Sequence, residues 1–379
     1  MTKILFITNI AKKIGSFSIA SINAAKKQGF DFHMAAFWNL TSAEMIHLEN
    51  DHSIKLHHVN LVRSPFSLRN YKAYKQIVKI IREEHIDYIH CNTPVGGILG
   101  RLAGKKCKVK RVIYQAHGFH FYKGAPKKNW LFYYPIEKWL ARYTDALITI
   151  NQEDYELAKA KFKLRNHGKV YYVPGVGINT SDYHTDEATR IAKREELGLP
   201  SDAFLLVSAG ELNANKNNRV IISAMEKLHD KRIHYILCGV GDQQSALEAQ
   251  ASAAGLSENV HFLGYRTDVK ELYQAADAFV MPSLREGLSR SIMEAMASGL
   301  PCIVSKIRGN VDLVTNSEGG FLCKPTDPDE FASAIGALLN DPELCQQMKR
   351  YNQEKIKNFD TAIVETMIKN IYSEDQNSK

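Results

Sequence analysis

The chain has 379 residues, 45% of them hydrophobic and 24% charged, a globular balance that is too long for one ordinary core and contains no low-complexity tract. Its net charge of +8 is unevenly divided: residues 1–180 carry 28 Lys+Arg against 12 Asp+Glu, and the remainder carries 21 against 29. No apolar run approaches the ~18 residues needed to cross a bilayer, and six scattered cysteines without CxxC or Cys/His spacing exclude a legible metal site or disulfide frame and read as reduced thiols.

The N-terminal MTKILFITNIAKKIG lacks a secretory apolar core and cleavage site, so KILFIT (3–8) reads as a first strand, followed by a loop with Gly15 and a helix over 17–28. FHMAAF (32–37) is a second strand. Residues 70–84 form an amphipathic helix with Tyr74, Ile77, Ile80 and Ile81 on one face. IDYIHC (86–91), KRVIYQ (110–115) and DALITI (145–150) are short buried strands. Between Tyr88 and Ile136 stand nine cations and no acid: Arg101, Lys105, Lys106, Lys108, Lys110, Arg111, Lys123, Lys127 and Lys128. Phe119, Phe121, Tyr122, Trp130, Phe132, Tyr133 and Tyr134 accompany them. Such a run is usually a solvated face; cations beside aromatics also suit an anionic membrane surface. No nucleic-acid-binding module is recognisable, so no nucleic-acid partner is expected.

KVYYVPGVGINTSDY (169–183) runs a strand into Pro174, Gly175 and Gly177, which mark an interdomain connection. Strands then restart at 204–212, 233–239, 260–264, 278–282, 301–305 and 320–323, with helices between them and at 328–339, 342–358 and 361–372. The expectation is an α/β chain of two Rossmann-like, doubly wound domains facing across a cleft. Residues 1–174, completed by 361–379, form the first domain, and 175–360 the second. In such sheets ligands sit at the carboxyl ends of the strands.

The stretch LREGLSRSIMEAMASGLPCIVS (284–305) follows the strand AFVMP. Its turn leads into a helix near Ser289, whose first N–H groups, around Leu288 to Ser291 and so including Arg290, suit a diphosphate. Gly287 allows close approach. Glu286 before the helix and Glu294 within it can reach opposite ends of a ligand, a sugar on one side and a ribose on the other. Spacing alone is weak support, because surface glutamates at this distance are common.

The stretches EGLSRSIMEAMASGLPCIVS and GGFLCKPTDPDEFASAI, together with GVGINTSDY, SAGELNANKN, LCGVGD and VHFLGYRTDVKELYQAADAFVMPS, occur in one order that resembles retaining, family-4 glycosyltransferases of GT-B architecture. In the N-terminal half, HCNTPVGGILGRLA and AHGFHFYKGAPKKNWLFYYPIEKWLARYTD resemble the subgroup that builds bacterial capsule and exopolysaccharide units on a lipid carrier. The resemblance implies that Glu294 holds ribose, Glu286 contacts the donor sugar and Lys216 neutralises the diphosphate. It further implies that His117 faces donor sugar and phosphate, with His120 a less secure match. Gly15 and Gly239, with Gly241, would approach the donor, and Arg266 would pack on its base. One position departs from the family: Glu211 stands five residues before Lys216, where an arginine is usual. A carboxylate there must pair with a cation or turn away, and Arg285, Arg290 and Arg308 are candidates to pair with it or to supply the missing charge.

The resemblance thus implies a retaining, metal-independent transferase that moves a hexose or N-acetylhexosamine from a UDP-sugar to a lipid-diphosphate-linked glycan. It would be cytoplasmic, peripheral on the inner face of the membrane, with other polysaccharide-assembly enzymes as partners. Three rivals stand beside it. A glycoside hydrolase would cleave without nucleotide, a GT-B-like epimerase would convert the nucleotide sugar without an acceptor, and a basic membrane-associated binder would bind regardless of the two glutamates.

Overall fold

A computed structural model describes residues 1–65 and 67–374. The chain divides into two compact units. One comprises Met1–Val176 and the chain from Thr361 onward; the other is Gly177–Asp360.

The first unit contains a parallel sheet of seven strands: β1 (Lys3–Ala11), β2 (Asp31–Trp38), β3 (Lys55–His58), β4 (Tyr88–Asn92), β5 (Arg111–Ala116), β6 (Ala146–Thr149) and β7 (Lys169–Tyr172), in the order β3-β2-β1-β4-β5-β6-β7. Both faces are covered. Along β1, Leu5 and Ile7 enter one apolar core while Ile4 and Phe6 enter the other. Two buried faces explain why these strands read as continuous apolar runs. The second unit repeats the plan with β8 (Phe204–Ala209), β9 (Ile233–Cys238), β10 (Val260–Gly264), β11 (Ala278–Met281), β12 (Cys302–Ser305) and β13 (Gly320–Cys323), in the order β10-β9-β8-β11-β12-β13. Phe204 and Leu206 of β8 face one core, Leu205 and Val207 the other. Each sheet has one topological switch point, between β1 and β4 in the first and between β8 and β11 in the second.

The last helix, Thr361–Ser373, packs in the first unit. Its Glu365 accepts hydrogen bonds from Asn23 Nδ2 (2.6 Å) and Lys27 Nζ (2.8 Å), and its buried Tyr372 hydroxyl lies 2.7 Å from His90 Nδ1. Sequence reading missed β3 and the helix Ser42–His52. β3 is a short edge strand with one buried residue, Leu56. The helix has no buried residue, but a capping box between Thr41 and Glu44 announces it.

The basic, aromatic segment needs two corrections. Arg101 and Arg111 are not surface cations: Arg101 is 1% exposed, lies over the Tyr114 ring and pairs with Glu137 at 2.8 Å, and Arg111 is buried in β5. Phe121 is fully buried and Trp130 packs on it, so neither belongs to an outer face. The large apolar side chains exposed on the helix Lys127–Ala141 are Leu131, Phe132, Tyr133, Ile136 and Trp139.

Candidate active site

Because β8 and β11 are neighbours, the loops that follow them meet at the carboxyl edge of the second sheet. They are stitched together: Leu284 N donates to Asn215 O (2.8 Å) and Asn215 Nδ2 to Arg285 O (3.0 Å). Asn217, in a left-handed backbone conformation, donates from Nδ2 to the carbonyls of Pro282 and Pro325. These bonds fix Lys216, three residues before the helix Arg219–Leu228, so that its Nζ lies 2.8 Å from Glu286 Oε1 in a largely shielded pair.

Gly287 and Leu288 lead into the helix Arg290–Ala297. Buried Ser289 caps it, accepting from Ile292 N at 3.4 Å. The leading N–H groups of a first turn point out along the helix axis toward its N-terminal end. Ile292, Met293, Ala295, Met296 and Ala297 bury the inner face, which leaves Glu294 partly exposed. Its Oε1 lies 2.9 Å from Arg290 Nε. Burial, and then the Glu294 charge, push the Tyr183 hydroxyl pKa up. From the loop after β12, buried Arg308 donates from Nε and Nη2 to the Glu286 carbonyl at 3.4 Å. Gly309, at φ +81°, lies so close that a Cβ there would fall 2.2 Å from Gly287 O. Three loops thus converge on Glu286 and Gly287.

The remaining candidates of this unit lie around that centre. A Cβ on Gly239 would fall 1.9 Å from Gly210 O, and one on Gly241 2.1 Å from Leu212 O, so backbone crowding already requires both glycines. Arg266, beyond β10, pairs with Asp268 and, at 3.0 Å, with Glu196. Glu211 is exposed and accepts from Asn213 Nδ2 at 3.0 Å. Among the described residues no group of three or more His, Cys, Asp or Glu could hold a metal ion.

In the first unit Gly15 caps the helix Ser16–Lys27 in extended backbone, and open space surrounds the position of its Cβ. His117 follows β5. Its Nε2 lies 3.0 Å from Asn92 Oδ1 at the end of β4, and burial pushes the imidazole pKa down to about 4, so it is neutral at pH 7. His120 stacks on Tyr133 instead, with ring centroids 4.6 Å apart. Sequence reasoning missed Asn92, the residue that orients His117, and Thr93, which takes φ +65° and donates from Oγ1 to Asn9 Oδ1 at 2.9 Å. A β-branched residue at positive φ at a switch point is a strained position of the kind found at functional sites. The triplet Asn-Thr-Pro ahead of a helix was its only signal in sequence.

Residues 3–151 match the "Glycosyl transferase 4-like" family and residues 189–355 match "Glycosyl transferases group 1". A relative from Bacillus subtilis (strain 168), "Putative glycosyltransferase EpsD", is 37% identical over 98% of this chain and 96% of its own length. The chain belongs to this glycosyltransferase family. It is also 28% identical, over 82% of the chain and 81% of the relative, to the Escherichia coli "UDP-Gal:alpha-D-GlcNAc-diphosphoundecaprenol alpha-1,3-galactosyltransferase". A solved structure, Anabaena Alr3699/HepE in complex with UDP, superposes with a TM-score of 0.80 at 23% identity, covering 98% of this chain and all of that one. That likeness carries the fold, which is GT-B. The protein is a glycosyltransferase, and these relatives are named as transferases, not as hydrolases or epimerases.

Proposed function

We propose that this glycosyltransferase moves a hexose or N-acetylhexosamine from a UDP-sugar to a lipid-diphosphate-linked glycan, retaining the anomeric configuration, in exopolysaccharide or capsule assembly on the cytoplasmic face of the membrane. The observation that carries the reading is the pair of carboxylates, Glu286 and Glu294, flanking the Gly287–Ser289 helix start, with Lys216 against the first. A diphosphate on the N–H groups of Leu288 to Ser291 is met by Lys216 and the positive helix end. Glu294 accepts the two ribose hydroxyls and Glu286 accepts hydroxyls of the transferred sugar. Support for the acceptor class comes from the Escherichia coli relative, whose name specifies a diphosphoundecaprenol carrier.

In the proposed step the bond from the anomeric carbon to the diphosphate oxygen breaks, and an acceptor hydroxyl bonds to that carbon on the same face. The acceptor proton passes to the departing phosphate oxygen, and UDP leaves. Charge grows on the diphosphate as the bond breaks, so Lys216 and the helix N–H groups bind the transition state better than the ground state. The reading needs no metal. The test is incubation with a panel of UDP-sugars and lipid-diphosphate-sugar acceptors, with mass spectrometry for transfer and NMR for anomeric configuration. Transfer with retention supports the proposal. Inversion, or conversion of the nucleotide sugar without an acceptor, overturns it.

A further inference from the structure

The helix Lys127–Ala141 has two apolar sides. Its inner side is ordinary core: Trp130 and Tyr134 pack on Phe121 and Phe162, and Leu140 and Ala141 are buried. Its outer side carries Leu131, Phe132, Ile136 and Trp139, which are 70%, 63%, 44% and 46% exposed. At 100° per residue these four occupy one contiguous sector, opposite Trp130, Glu137 and Ala141. Surface apolar residues scattered singly need no explanation, but four large ones on one helix face do.

The exposed charges of this helix and its C-cap are of one sign. Lys127, Lys128, Lys138 and Arg142 are exposed at its two ends. The helix's one acid, Glu137, is turned inward to buried Arg101 at 2.8 Å. The face therefore combines an apolar stripe with a cationic rim and presents no carboxylate. A second copy of this chain docking face to face would set like charge against like. An anionic bilayer satisfies both components, because acyl chains accept the stripe and headgroups accept the lysines. With 15 residues the helix is too short to span, and among the described residues no helix is long and apolar enough to cross a membrane.

We propose that this outward face seats the enzyme on an anionic bilayer, the helix lying in the interface plane with Leu131, Phe132, Ile136 and Trp139 at the acyl boundary and the lysines among the headgroups. The inference deepens the lipid-linked-acceptor reading, which gives the docking its purpose, but vesicle binding is measured without donor or acceptor and stands or falls by itself.

The experiment is vesicle flotation with the full chain, on phosphatidylglycerol–phosphatidylcholine vesicles and on phosphatidylcholine alone, with and without added salt. Binding should require the anionic lipid and weaken with salt. The variant Leu131→Ser/Phe132→Ser/Trp139→Ser should lose binding by ~tenfold or more, with an unchanged circular dichroism spectrum. Phe132→Glu alone should act in the same direction. The chain has three tryptophans, Trp38, Trp130 and Trp139. Acyl-brominated lipids should quench the fluorescence of the native protein and not that of Trp139→Phe. Equal binding to neutral vesicles would overturn the proposal, as would full binding by the triple variant or quenching that survives Trp139→Phe. So would a native dimer that the triple variant dissolves while vesicles bind neither protein.

Discussion

Lys216 and Glu286, 70 residues apart in sequence, meet at 2.8 Å because their loops follow neighbouring strands. Glu294 is likewise paired, with Arg290 at 2.9 Å. Each carboxylate assigned to the donor is therefore held by a cation. In the proposed assignment, a diphosphate that takes Lys216 would free Glu286 to accept sugar hydroxyls.

Lys216→Ala should lower turnover by ~10²–10³ and weaken UDP binding, because it leaves the Glu286 charge unneutralised beside the diphosphate. Glu286→Gln should depress turnover with UDP affinity largely kept. The double variant should bind UDP better than Lys216→Ala alone. Calorimetry over the four proteins decides this; strictly additive losses would show that the pair plays no part in donor binding.

Glu294→Gln should weaken UDP binding by ~1–3 kcal/mol, the range of a charge-assisted hydrogen bond. Glu294 touches ribose in this assignment, so UDP and UDP-sugar should lose equally. Unchanged UDP affinity would remove Glu294 from the ribose role.

Arg308, packed against the Glu286 carbonyl, is a candidate to supply the charge that the family resemblance implies at position 211. Arg308→Ala should reduce turnover by ~tenfold or more, the scale of one lost phosphate contact. Glu211→Arg in that background should restore part of it. An active Arg308→Ala, or an inert Glu211→Arg, would leave the second phosphate contact to Arg290.

Stability of the first unit should fall with acid. Burial depresses His90 to about 3 and His57 and His117 to about 4, from an ordinary 6.5. The unfolded chain then binds protons first, so this contribution is whole above about pH 6.5 and is lost as pH falls toward the folded values. The limiting slope for one histidine that stays neutral in the folded protein is ~1.4 kcal/mol per pH unit. Urea unfolding at pH 7.5 and 5.5 should show a lower midpoint at 5.5, and His90→Gln should flatten the difference. Equal midpoints would contradict the burial of these neutral imidazoles.

Transfer should survive EDTA, since the proposed mechanism stabilises the leaving diphosphate with Lys216 and helix N–H groups. Loss of turnover on chelation, restored by a divalent cation, would overturn the metal-independent reading.

Sequence alone determined the elements whose pattern is local. Strands such as β5 and β8 are legible because burial on both sheet faces leaves apolar runs, and the turn-plus-helix at Glu286–Ala297 is legible because Ser289 caps an apolar stripe. β3 was not legible because an edge strand with one buried side chain has no run to read. Tertiary structure decided what depends on neighbours distant in sequence. The helix Lys127–Ala141 carries aromatic and aliphatic residues around most of its circumference, so its sequence cannot say which side is core; Phe121, Phe162 and the Arg101–Glu137 pair select the side of Trp130 and Tyr134 and leave Phe132 and Trp139 outside. The partner of Lys216 was likewise undetermined, because only the order β9-β8-β11-β12 brings the loop after β8 beside the loop after β11, and a salt bridge forms where side chains meet in space, whatever their separation along the chain.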